Sequence, residues 1–177
     1  MTRVFRVCVT GPESTGKTTL AEQLALFLGT EWVPEASRTY AERVARDLSV
    51  ADVEPIAREH IACVDAAAER VAAGKGTALV LDTDLLSTVV YARHYYGFDS
   101  PWLDGEERAR RADLYLLCDV DVPWTPDGIR DRPANRGAMF ALFRDALAER
   151  RDQIVVLRGD WDMRWTVARA AVQRAAR

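Results

Sequence analysis

Lysine is almost missing from this chain. Of its 24 basic residues, only Lys17 and Lys75 are lysines, and the rest are arginines. Against 27 acidic residues this leaves a net charge of −3. There is no basic surplus for a whole-domain grip on nucleic acid, and a nucleic-acid partner is not expected. Long apolar runs are also absent, the longest (Leu24–Leu28, for example) reaching about five residues, so neither a membrane span nor a signal-peptide core is expected. Cysteine is scarce, with Cys8, Cys63 and Cys118 far apart and no C-x-x-C pair or Cys/His cluster. Three is an odd number for a disulfide framework, and two of them fall in apolar runs. Buried reduced thiols in a cytoplasmic protein are therefore expected. Internal repeats and low-complexity linkers are lacking as well. What remains is 177 residues, 49% hydrophobic and 29% charged, enough for one domain over 1–177 with a real core and too apolar for disorder.

Short β-rich runs alternate with longer helical patterns. Val4–Thr10, Trp32–Val33, Ala78–Leu81, Leu114–Cys118 and Ile154–Leu157 read as strands, three of them almost continuously apolar, as strands covered on both faces must be. Helical patterns occupy about 17–28, 36–47, 52–73, 84–96, 105–112, 137–151 and 161–176. The third carries a stripe of Ala57, Ile61, Val64, Ala68 and Val71, the last one of Trp161, Trp165, Ala168 and Val172. This alternation predicts an α/β fold, a P-loop NTPase three-layer sandwich of about five parallel strands with helices on both faces.

Gly11 to Thr18 (GPESTGKT) fits G-x-x-x-x-G-K-[ST] between a strand and a helix. By composition alone a chance match comes to roughly 6 × 10⁻⁴. The glycines let backbone N–H groups turn inward around phosphates, and the helix N-terminus adds positive potential. Gly11, Glu13, Ser14, Thr15, Gly16, Lys17, Thr18 and Thr19 are thus the expected ATP-binding residues. Lys17 reaches the β/γ-phosphates as a compact charge on a slim stem, a place Arg's wide fork cannot take. The Thr18 hydroxyl is a ligand for Mg²⁺. Lys75, within Gly74-Lys75-Gly76, needs no explanation beyond a turn.

Asn135 is the only asparagine and is followed by Arg136, so the N-K-x-D motif of switch GTPases is missing, as is D-x-x-G. No L-S-G-G-Q run suggests a transporter ATPase, and the chain is short for an AAA+ module. A small-molecule kinase remains, which needs a metal carboxylate, a base for the acceptor hydroxyl and a positive lid. Ala78–Asp82 is an apolar strand ending in Asp, so Asp82 is the expected Mg²⁺ carboxylate and Asp84 faces the acceptor or caps the next helix. Glu35 follows an edge strand and either takes the acceptor proton or forms a solvated pair with Arg38. The segment at about 123–137 brings Arg130, Arg132 and Arg136 together among Pro and Gly. It reads as a lid over the transferring phosphate or as a solvated loop. His60 and His94 lie in helical patterns, where a structural role competes with a site role.

These features together resemble the ribosylnicotinamide kinase domain of NadR-type proteins. The resemblance rests on Gly-x-Glu-Ser-x-Gly-Lys-Thr at 11–18, Glu35-x-x-Arg38, Asp82-Thr83-Asp84, Trp124-x-x-Asp127-Gly128-x-Arg130, and a helix with His60 and Asp65. It implies ATP- and Mg²⁺-dependent phosphorylation of the 5′-hydroxyl of nicotinamide riboside. The expected catalytic residues are then Lys17, Glu35 or Asp84 as the base, and Arg130 with Arg132 on the transferring phosphoryl group, with Glu35, Arg38, His60, Asp84 and Trp124 expected around the nucleoside. NadR-type proteins usually carry a nucleotidyltransferase domain upstream, whereas this chain starts a few residues before its P-loop and is expected to hold the kinase part alone. Ala36 stands where relatives often have an aromatic, and Trp32, Tyr40, Tyr91, Tyr95 and Trp124 are the nearby rings for a cationic base. Another nucleoside, a deoxynucleoside or a polynucleotide 5′-end is the alternative acceptor. An ATP-binding regulatory module is the alternative of a different class.

Overall fold

The strands form one parallel sheet in the order β2-β3-β1-β4-β5. Residues 3–123, 135–148 and 154–175 are described by the computed structural model. Trp124, Arg130 and Arg132 therefore lie outside the described residues. The strands are β1 (Phe5–Thr10), β2 (Trp32–Val33), β3 (Ala78–Asp82), β4 (Leu114–Cys118) and β5 (Ile154–Leu157). The helices are α1 (Lys17–Leu28), α2 (Ala36–Val44), α3 (Val53–Ala73), α4 (Leu85–Tyr96), α5 (Pro101–Ala109), α6 (Arg136–Ala146) and α7 (Trp161–Ala175), with a 3₁₀ turn at Val50–Asp52.

Side-chain alternation along the strands sorts the core into two layers. Val7 and Val9 of β1 meet Leu20 and Leu24 of α1 and Ala168 and Val172 of α7. Cys8, on the opposite face, meets Val64 and Val71 of α3, Val90 of α4, and Met139 and Phe143 of α6. Both faces of β1, β3 and β4 are covered, which is why Ala78–Asp82 and Leu114–Cys118 are buried at every position. Val53 and Ala57 of α3, Val89 of α4 and Leu103 of α5 make a satellite cluster.

Several boundaries differ from the sequence reading, each for a local reason. Helix α2 stops at Val44 because Ala45 turns left-handed (φ 51°). Helix α5 starts at Pro101, not 105: Ser100 caps it through Leu103 N–H, and Pro sits where a missing N–H costs nothing. Helix α6 ends at Ala146, short of residue 151. Cys8 and Cys118 are buried, but Cys63 is exposed on α3. Arg164 joins Ala168 and Val172 on the buried stripe of α7, while Trp161 and Trp165 are only half-buried. No helix among the described residues is long and apolar enough to cross a membrane.

Candidate functional site

Strand β1 sits at the centre of the sheet, and chain order reverses on its two sides, so the carboxyl end of β1 opens into the crevice where α/β sheets take ligands. The loop after it, residues 11–16, is shaped by close approach. Gly11 has φ 130°, and a Cβ there would lie 2.7 Å from the Cys118 carbonyl oxygen at the end of β4. Gly16 ends the loop at φ 82° and caps α1. Ser14 (φ 52°) is in the left-handed region without being glycine, a conformation that costs energy and is held by its surroundings. Within the loop, Lys17 Nζ and Thr15 Oγ1 each donate to the Pro12 carbonyl at 2.8 Å.

Strand β3 delivers Asp82 beside this loop, in register with Val9. Thr18 Oγ1 donates to Asp82 Oδ2 at 2.6 Å. Burial pushes the Asp82 carboxyl up to about 6; Lys17 and Arg38 pull it down, and Glu35 pushes it further up. The structure thus brings Lys17, Thr18, Glu35, Arg38 and Asp82 into one electrostatic neighbourhood. Asp82 Oδ1 is buried and has no hydrogen-bond partner among the described residues. A buried carboxylate oxygen of that kind, next to a hydroxyl, is a hard-oxygen donor set suited to a divalent cation. Glu35 stands at the start of α2 and accepts from Ser37 Oγ at 2.6 Å.

Thr83 separates the two aspartates with φ 67°, and its N–H donates to the Val9 carbonyl. Asp84 Oδ1 caps α4 through Leu86 N–H, and Oδ2 accepts from the buried Tyr115 hydroxyl at 2.7 Å. Asp84 therefore has the capping role and also lines a cavity of about 750 Å³ that runs between α2, α3 and α4. His60 lines it from α3, buried, with burial and then Arg6 and Arg110 lowering its imidazole to about 4. Tyr91 and Tyr95 stack at 5.7 Å on its α4 wall. Residues 45–49 close one side: Arg46 binds Asp52 through both Nη atoms, and Tyr96 donates to the Leu48 carbonyl.

Other residues singled out in the sequence fall elsewhere. His94 is exposed against Tyr95 and outside the cavity lining, Trp32 packs on the opposite core layer, and Tyr40 donates to Asp52. Arg136, read from sequence with the lid arginines, starts α6 instead, buried, donating to the Val122 and Ser14 carbonyls. Arg164 escaped the sequence reading because it occupies an apolar stripe with no motif around it. It donates to the Gly159, Thr15 and Asp119 carbonyls and pairs with Asp121.

Comparison with known proteins fits this geometry. The trifunctional NAD biosynthesis/regulator protein NadR of Salmonella typhimurium LT2 is 30% identical over 172 residues, 92% of this chain and 40% of that protein. A crystal structure of NadR protein in complex with NR superposes with a TM-score of 0.83 at 27% identity, over 97% of this chain and 51% of that one. A crystal structure of NadR protein in complex with NAD and AMP-PNP gives 0.80 at 25% identity, over 97% and 49%. The chain spans about half of these proteins or less. A family model described as an AAA domain matches residues 6–164, from β1 into α7. Chain length had counted against an AAA+ module, yet this family's match fits within the single sheet described above. NadR-like in its P-loop fold, the chain belongs to the AAA domain family.

Proposed function

We propose that this chain is a kinase that transfers the terminal phosphoryl group of ATP to the 5′-hydroxyl of a nucleoside, nicotinamide riboside foremost. The observation that carries the choice of acceptor is the charge of the cavity beside Asp82. Glu42, Asp47 and Asp84 line it, and its one Lys or Arg among the described residues, Arg46, is already bound on both arms by Asp52. A phosphorylated acceptor needs a cation that this lining does not offer. A flat cationic pyridinium suits carboxylates and the Tyr91–Tyr95 faces.

In this reading the N–H groups of Glu13 to Thr19 cradle the phosphates and Lys17 presents its charge to the β/γ oxygens. Thr18 and Asp82 hold Mg²⁺, which when bound neutralises charge on the phosphate oxygens. Glu35 is assigned to accept the hydroxyl proton because it lies in the field of Asp82 beside the phosphate loop. Asp84 and His60, from the cavity lining, position the nucleoside with Trp124; Arg38, outside that lining and in the field of Asp82, is assigned to the nucleoside's reacting end, and Arg130 and Arg132 to the transferring phosphoryl group. The NadR structure in complex with NR supports the acceptor, and the one with AMP-PNP supports the donor.

The test is ADP release with MgATP across a panel of nucleosides, nucleotides and a 5′-hydroxyl oligonucleotide. Nicotinamide riboside should give a kcat/KM at least tenfold above adenosine, thymidine and thymidine monophosphate. Slow turnover indifferent to every acceptor would instead make the chain an ATP-driven regulatory module.

A further inference from the structure

Two buried arginines stand behind the phosphate loop, and their contacts alternate with its peptide planes. Arg136 Nη2 donates to the Ser14 carbonyl at 3.1 Å and Arg164 Nη1 to the Thr15 carbonyl at 2.9 Å. The peptide bonds here are trans, so each carbonyl and the N–H that follows it point in opposite directions. Holding the Ser14 and Thr15 oxygens outward therefore turns the N–H groups of Thr15 and Gly16 away from the guanidiniums, into the turn that Lys17 closes on the Pro12 carbonyl. We propose that Arg164 and Arg136 are positioning residues that fix the phosphate loop from behind, so that its N–H donors are aimed before any nucleotide arrives. The inference rests on the nucleotide-binding part of the proposed function.

Arg164 is 2% exposed, and its hydrogen bonds tie the phosphate loop to neighbouring segments of the protein. Nε donates to the Gly159 carbonyl, Nη1 to Thr15, and Nη2 to both the Asp119 carbonyl and the Asp121 carboxylate. With four of its five N–H groups committed to protein, it has little left for a ligand; it joins the phosphate loop to the exits of β4 and β5. Arg136 holds the preceding peptide at the Ser14 carbonyl and also donates to Val122 O at 3.1 Å. A fork geometry is needed for each, because the carbonyls lie in different directions and lysine's point charge reaches one at a time. The strained φ of Ser14 is the conformation that the two clamps maintain.

The test is calorimetric titration of the full chain with MgADP, AMP and adenosine, comparing wild type, Arg164→Lys, Arg136→Lys and, as the direct phosphate contact, Lys17→Ala. Each Arg→Lys variant should lose at least tenfold in MgADP affinity while adenosine binding stays within twofold, and KM for ATP should rise more than kcat falls. MgADP affinity that is unchanged while the thermal midpoint drops would make the arginines structural only. Parallel losses for ADP and adenosine would mean collapse of the whole site and would equally overturn the proposal. If Arg164→Lys does not fold, Arg136→Lys, at a helix start, decides by the same criteria. These titrations need no phosphoryl acceptor. Tight MgADP binding without nucleoside-stimulated turnover would therefore sink the kinase reading and leave this one standing.

Discussion

Glu35 and Asp84 are both carboxylates just past strand ends, yet the fold loads them differently. Asp84 takes one hydrogen bond from Leu86 N–H and another from the Tyr115 hydroxyl, which spreads its negative charge over fixed donors. Glu35 shares the electrostatic neighbourhood of Asp82 and Lys17, where the proposed function puts phosphoryl transfer. Glu35→Gln should lower kcat by about 10²–10⁴-fold with a modest change in KM, the range for removing a general base. Asp84→Asn keeps a good cap residue and should raise KM for the nucleoside more than it lowers kcat. Steady-state kinetics of the two variants separates these roles, and equal mild losses would show that neither takes the proton. At this scale the sequence was most legible where a motif fixes spacing, as in Lys17, Thr18 and Asp82. It was least legible at Arg164 and Arg136, whose partners are backbone carbonyls of segments up to 149 residues away. A carbonyl carries no side-chain signature, so nothing in the sequence marks it.

Elements were legible to the extent that periodicity and caps spoke for them. Among the described residues the five strands fall where apolar patterns place them, because a doubly covered sheet demands continuous apolar strands, and the seven helices fall near theirs with shifted ends. Helix α5 starts four residues before and ends three residues before the 105–112 expected from pattern, although Ser100-Pro101 is a start signal in itself. Ser100→Ala should cost about 1 kcal/mol and lower the thermal midpoint by roughly 2–4 °C, leaving kinetics unchanged. The loop between β1 and α1 is far less forgiving. Gly11→Ala would push a methyl to 2.7 Å from the Cys118 carbonyl oxygen, at a φ that alanine rarely adopts. That strain should cost about 2 kcal/mol or more and abolish MgADP binding. Calorimetric melting and nucleotide titration check both, and a Gly11→Ala chain that bound MgADP normally would refute the packing account of this loop.

Among the described residues, His60 and Asp82 are buried groups with large shifts in the acid range, and they oppose each other. His60 is held near 4 against an ordinary 6.5, so between those values the unfolded chain binds a proton that the native chain refuses. Stability from His60 is full above 6.5 and is lost as pH falls toward 4. Asp82 is held near 6 against an ordinary 3.8, so in its window the native chain keeps a proton that the unfolded chain gives up. Its contribution has the opposite sign, with stability gained as pH falls from 6 toward 4. Each is worth up to about 3 kcal/mol at 1.36 kcal/mol per pKa unit. In the metal-free wild type these two contributions nearly cancel between pH 6 and 4, which leaves the acid-side loss from carboxylates such as Asp52 and Asp121 to set the slope. Single variants uncover each half. Relative to the wild type, His60→Gln should become more stable as pH drops across that window, and Asp82→Asn should become less stable. Asp52, held far below the usual carboxylate range by Arg46, begins to lose its stabilising contribution as pH falls below about 5, but it does so alike in all three proteins and drops out of the differences between them. Urea unfolding of the three proteins at half-unit pH steps in chelator tests this. Parallel curves would show that neither group is desolvated as the fold requires, and with that the orphaned Asp82 oxygen would lose its standing as a cation ligand.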